Sequence, residues 1–169
     1  MSNIKPIIVP FSHISLAAQM ARENENLTRT PYHDTVGKIT IGYGRNLEDK
    51  GITIPEAELM LANDVVEAHG VLQEEFGFYR GLSEIRQAVM MDLYHNMGLG
   101  GLLTFKKMLN AIQIGDFDEA ARQLQDSKYY KQVGLRGQRN FLMIKFNKYF
   151  SKDEARSYFV NLKINGTNL

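Results

Sequence analysis

The chain has 169 residues, 44% hydrophobic and 23% charged, with 20 lysines and arginines against 19 aspartates and glutamates, a formal charge of +1 and no cysteine. This is the composition of one folded domain, or two small lobes sharing a core, and it excludes disordered and collagen-like chains. The balanced charge gives no basic excess for nucleic acid, and the lack of cysteine excludes disulfides and thiolate metal sites while suiting a reducing cytoplasm.

Residues 1–12 carry Pro6 and Pro10 among β-branched residues and read as an irregular lead-in. Their apolar run, Ile7 to Phe11, is shorter than a bilayer span of about 30 Å or a signal segment of about 7 to 15 apolar residues requires. Ser12 offers a helix-capping oxygen, and Ile14, Leu16, Ala17, Met20 and Ala21 recur at helical spacing, so a helix is predicted to end near Glu25. From Tyr32 to Asn46 the chain turns β-branched and aromatic between glycines, which predicts a β hairpin turning at Gly37. Gly37, Gly42 and Gly44 also keep side chains away where a bulky group approaches the backbone.

Thr53-Ile54-Pro55-Glu56 is a capping box with proline in the first turn, and it opens a long helix running toward Phe76. Ile85 to Met97 is apolar almost all round, as in a helix at a core's centre, with Met90, Met91 and Met97 as filling. Shorter helices are predicted at Phe105 to Ile114, Phe117 to Leu124 and Phe141 to Phe150. Ser151-Lys152-Asp153-Glu154 is a second capping box, for a last helix ending near Lys163. The layout is α+β. His13, His33 and His69 lack ligand spacing, so neither metal nor cofactor is expected.

One constellation suits glycoside hydrolysis, which needs a protonated carboxyl for the leaving oxygen and an ionised carboxylate to activate water. Glu25 falls at a helix end, where an apolar wall would favour its protonated form. Asp34 falls at the hairpin's start, beside Tyr32 and Gly37, within reach of water. Thr40 follows six residues later, and a turn at Gly37 brings its hydroxyl across from that carboxylate.

Glu25, Tyr32-His33-Asp34-Thr35 and Gly37-Lys38-Ile39-Thr40-Ile41-Gly42-Tyr43-Gly44 resemble the glutamate, aspartate, threonine and glycine pattern of phage lysozymes, T-even phages included. The resemblance continues through Arg86 to Gly98, Phe117 to Ala121, Gly134-Leu135-Arg136 and Arg139, and covers roughly residues 16–150. It implies a lysozyme-like two-lobed α+β fold: a lead-in at 1–15, then one domain over 16–169, with a small lobe at about 16–60, a helical lobe at about 77–169 and a linking helix between. It further implies a monomeric peptidoglycan muramidase that cuts the N-acetylmuramic acid to N-acetylglucosamine β-1,4 bond with inversion. Glu25 would be the acid, Asp34 the base and Thr40 the partner that places water. The carboxyls of an inverting enzyme stand about 6.5 to 9.5 Å apart.

Arg136 matches the family arginine that faces the glutamate, and His95, Asn96, Met108, Gln123 and, on the small lobe, Asn46 match cleft positions. With Tyr32 they form the expected substrate-binding set. Two departures stand out. Arg45 replaces the family's histidine, which predicts an Arg45–Asp64 ion pair, and Asn26 replaces the glycine after the glutamate. A lytic transglycosylase using the glutamate alone, or an inactive wall-binding module, are the alternative readings. An endolysin lacking an export signal is expected to wait in the host cytoplasm until release, and to insert stably into no membrane.

Overall fold

A computed structural model describes residues 13–164. The lead-in at 1–12 and the Ser12 cap lie outside the described residues. The chain divides into two compact units, Met1–Leu59 and Met60–Leu169.

In the first unit, helix α1 (His13–Asn24) leads into strands β1 (Thr28–His33), β2 (Ile39–Gly42) and β3 (Arg45–Asn46), which form one antiparallel sheet in the order β1-β2-β3. The predicted hairpin is thus two strands of a three-stranded sheet. The β1–β2 turn is closed by Asp34 N–H donating to the Lys38 carbonyl and Gly37 N–H to the Asp34 carbonyl. Gly37 takes φ +84°, open to glycine and costly for a residue with a Cβ. Tyr32 then faces Thr40 across the pair, and Thr40 faces Asn46 on the other side.

A single-turn helix, α2 (Leu47–Lys50), follows, capped by Asn46, whose Oδ1 accepts from Asp49 N–H. Glu48 of α2 reaches back to accept the Ile39 N–H of β2. Among the described residues of this unit Thr40 alone is buried, while Leu16, Met20 and Leu27 are 60%, 53% and 56% exposed. Backbone pairing and polar clasps, rather than an apolar core, hold this sheet.

Helix α3 (Ile54–Glu75) opens on the predicted capping box: Glu56 accepts from Thr53 N–H and hydroxyl at 2.7 and 2.8 Å. The second unit continues from α3 through a 3-10 turn (Tyr79–Gly81), α4 (Glu84–Leu103), α5 (Lys106–Gln113), α6 (Phe117–Gln125), α7 (Lys128–Val133), α8 (Leu135–Phe146) and α9 (Lys152–Ile164). Its core gathers Leu72, Tyr79, Val89, Met90, Leu93, Leu102, Leu124 and Leu142, all 1% exposed or less, with Met91 and Met97 packed at the edge. Arg86 lies 3.3 Å over the Phe117 ring and donates to the Ile144 carbonyl, so α4, α6 and α8 meet on one guanidinium.

Three helices depart from their predicted bounds. α4 continues past Met97 to Leu103 across a break at Gly98, where φ +68° and ψ 175° interrupt the helix and redirect it. α7 forms where no helix was predicted, with the Ser127 hydroxyl capping it by accepting Tyr130 N–H. α8 starts six residues before Phe141 and stops at Phe146, where Asn147 turns left-handed. The architecture is α+β, helical with one small sheet. No helix of the described residues is long and apolar enough to cross a membrane.

Candidate active site

The turn that starts at Asp34 also fixes its carboxylate. Oδ1 accepts Lys38 N–H at 2.8 Å and Val36 N–H at 3.0 Å, and Oδ2 receives the Thr40 hydroxyl at 3.4 Å. The Lys38 N–H leads the contacts that hold this carboxyl below the ordinary aspartate range; partial burial opposes it, and Val36, Thr40 and Gly37 assist. Asp34 is therefore ionised well below neutral pH, with one oxygen engaged by backbone and the other lightly held. Thr40 is 2% exposed, and its one proton also has the Lys38 carbonyl within reach at 3.2 Å. When that proton turns to the carbonyl, Asp34 Oδ2 is left able to accept from another donor.

Glu25 extends α1 by one residue through its N–H to the Ala21 carbonyl. Its carboxyl lies on Gly44: a Cβ placed there would meet Glu25 Cδ at 3.3 Å and Oε1 at 3.5 Å. Gly44 also holds φ +72°. The glycine cleared for a bulky neighbour thus accommodates the protein's own acid, which brings the end of α1 against the β2–β3 turn. No apolar wall from its own unit covers Glu25, which is exposed, contrary to the sequence-based expectation.

Arg45 corrects a second expectation. Its Nη1 pairs with Glu56 Oε1 at 2.8 Å and its Nε donates to the Gly51 carbonyl at 2.8 Å, so its partner is Glu56 and not Asp64. Glu56 stands in the first turn of α3 with its other oxygen on Thr53, which puts it nearer β3 along the chain than Asp64, two turns further on. Tyr32 is half-buried on β1, and the side chain of Asn46 is engaged by Asp49 through both its oxygen and its nitrogen.

In the second unit, Met108 and Gln123 come together in a cavity of about 500 Å³, with Phe105, Ser127 and Tyr129 on its walls. Met108 is 1% exposed, and Gln123 donates to Glu119 at 2.7 Å. Tyr129, which the sequence reading did not nominate, has a buried hydroxyl with no hydrogen-bond partner among the described residues. Its signal was a pair of tyrosines before a glycine, too common a pattern to single out. His95 and Asn96 are exposed on α4, three and two residues before the Gly98 break. Arg136 makes a forked pair with Asp92, Nε at 2.9 Å from Oδ2 and Nη2 at 2.9 Å from Oδ1, and the buried Asn140 donates to the same carboxylate at 2.8 Å. Asp92 and Asn140 were missed because each reads alone as an ordinary helix residue.

Two carboxyls are thus joined to one small sheet on an α+β scaffold, one pinned ionised beside a threonine hydroxyl and the other resting on glycine. Residues 22–140, more than half of the chain, match the phage lysozyme family, and the chain belongs to that family of glycoside hydrolases. Among its relatives, the pre-baseplate central spike protein Gp5 of Enterobacteria phage T4 is 24% identical, with 75% of this chain and 27% of the spike protein covered. Probable T4-type lysozyme 1 of Dictyostelium discoideum is 25% identical, with 75% of this chain and 91% of that protein covered. The chain therefore spans about a quarter of the spike protein and nearly the full length of the second relative.

Proposed function

We propose that this chain is a peptidoglycan muramidase that hydrolyses the β-1,4 bond between N-acetylmuramic acid and N-acetylglucosamine by a single inverting displacement. The observation that carries the reading is the Asp34 carboxylate, held ionised by the Lys38 and Val36 N–H groups with the Thr40 hydroxyl on its free oxygen. In this reaction Glu25 gives its proton to the leaving glycosidic oxygen. Asp34 takes a proton from water, and the Thr40 hydroxyl holds that water by accepting or donating as the proton moves. Inversion follows from a water, rather than Asp34 itself, attacking the sugar.

Substrate contacts are assigned to Tyr32, Asn46, His95, Asn96, Met108, Gln123 and Arg136. The exposed imidazole and amides suit N-acetyl and hydroxyl groups, and the Met108 cavity offers an apolar surface with polar edges. The enzyme is proposed to stay in the host cytoplasm until release to the wall, which fractionation before and after lysis would test.

The decisive experiment is product analysis on purified peptidoglycan. Hydrated reducing ends, first released as the α anomer, are expected; anhydromuramyl ends would make the protein a lytic transglycosylase. Glu25→Gln is expected to lower turnover by about 10² to 10⁴-fold. Equal clearing of permeabilised cells by this variant and the wild type would remove Glu25 from the mechanism. Binding of peptidoglycan without any product would leave a wall-binding module.

A further inference from the structure

Within the first unit, one side chain of α2 grips two successive residues at the start of β2. Glu48 Oε1 accepts Ile39 N–H at 3.0 Å, and its Oε2 stands 3.4 Å from Lys38 Nζ. Asp49 Oδ1 takes the same ammonium at 3.2 Å but makes no hydrogen bond to the β2 backbone among the described residues. The pairing of β2 with β3 ends at Thr40 opposite Asn46, and Ile39 N–H falls one residue beyond it, where Glu48 supplies the acceptor that a longer β3 would have given.

As an ion pair this clasp contributes little, because exposed lysine–carboxylate pairs are screened by water and must order two long side chains. Its consequence lies in the peptide it holds. The Lys38 carbonyl and the Ile39 N–H belong to one rigid plane. On one edge of that plane Ile39 N–H is fixed by Glu48; on the other the Lys38 carbonyl accepts Asp34 N–H at 2.9 Å and has the Thr40 hydroxyl at 3.2 Å. Lys38 N–H, one bond earlier, donates to Asp34 Oδ1 at 2.8 Å, the shorter of the two backbone bonds to that carboxylate.

We infer that Glu48 is a positioning residue for Asp34: it fixes the plane of peptide 38–39, and through it the aim of the Asp34 carboxylate and of the Thr40 hydroxyl. The inference rests on the proposed role of Asp34 as the base. Thr40 has one proton and two acceptors, the Lys38 carbonyl at 3.2 Å and Asp34 Oδ2 at 3.4 Å, so tilting the plane changes which of them takes it. The charged groups on the α2 side of the turn are Lys38, Glu48 and Asp49, and from β1 His33 Nδ1 stands 3.1 Å from the Gly37 carbonyl. All of these residues belong to the first unit.

The test reads Asp34 itself, by ¹³C titration of its carboxyl in the full chain, with hydrogen exchange of the Ile39 amide alongside. Glu48→Asp keeps the charge and withdraws the oxygen by one methylene. The Asp34 carboxyl is then expected to titrate at higher pH and the Ile39 amide to exchange about tenfold faster, the loss of one hydrogen bond. Glu48→Ala should also raise the Asp34 titration, although removing a neighbouring anion by itself moves it down. Glu48→Gln, which keeps an acceptor for Ile39 N–H, and Asp49→Asn, which removes an equal charge, should show no upward shift. On peptidoglycan, Glu48→Asp should lower kcat about tenfold with KM nearly unchanged, short of the about 10²-fold cost of an ångström's misplacement. An Asp34 titration unmoved or lowered in both Glu48→Asp and Glu48→Ala, an equal upward shift in Asp49→Asn, or a raised titration with kcat unchanged would overturn the inference. Should the wild type release no product, the muramidase reading fails, while the carboxyl titration still decides whether Glu48 positions Asp34.

Discussion

The charge of Asp34, the proposed base, is set by its own turn. Because its carboxyl is held below the ordinary range, chiefly by the Lys38 N–H, its stabilising contribution is complete above the unfolded-state value of about 4 and is lost as pH falls through the lower folded value. Thr40→Val removes one of the lesser contacts at a position 2% exposed, so the Asp34 carboxyl should move up toward its ordinary value. The acid limb of the pH–rate profile of kcat/KM is then expected to shift to higher pH while the fold persists. An unmoved acid limb would show that Thr40 does not touch the working base. Gly44 makes a separate demand: Gly44→Ala combines a φ of +72° with a Cβ 3.3 Å from Glu25 Cδ. It should destabilise the protein by about 1 kcal/mol or more and lower kcat more than it raises KM, because the acid itself is displaced. Steady-state kinetics with a denaturation curve separates the two effects.

At the scale of the element, the two capping boxes are chemically alike and differently employed. Glu154 accepts from Ser151 N–H at the start of α9 and, among the described residues, ties its helix to nothing else, whereas Glu56 does the same at Thr53 and also holds Arg45. Arg45 in turn donates to the Gly51 carbonyl, so one guanidinium joins β3, the segment after α2 and the first turn of α3. Glu56→Ala should therefore lower the melting temperature more than Glu154→Ala. Equal shifts in calorimetry would mean that the Arg45 pair adds nothing beyond the cap. Both boxes and the apolar periodicity of α4 were legible in the sequence, because each depends on residues within one or two turns of each other. β3 and α2 were not, since elements of two and four residues are too short to show a period.

Across the whole molecule the apolar core is unevenly shared. Every buried hydrophobic side chain among the described residues comes from Ala68 onward, and the sheet unit contributes only Thr40. Resistance to opening should follow that division. Hydrogen exchange is expected to show the amides of α4 and α8 protected longest and those of β1–β3 opening at lower free energy; protection of the sheet equal to that of α4 would contradict this. Leu93→Ala, at a fully buried position, should cost about 2 to 5 kcal/mol, readable as a lower denaturation midpoint.

By itself the sequence determined the α+β class, the family, the helix starts at the two capping boxes, and the placing of Asp34 and Thr40 about one small turn. These rest on spacing and local backbone chemistry, which a linear string carries. Tertiary structure decided that Arg45 takes Glu56 rather than Asp64, that Gly44 receives the Glu25 carboxyl, and that Arg136 is forked onto Asp92 with Asn140 beside it. Partner choice among long charged side chains depends on which backbones approach within about 3 Å, a distance set by packing between elements and not by separation along the chain.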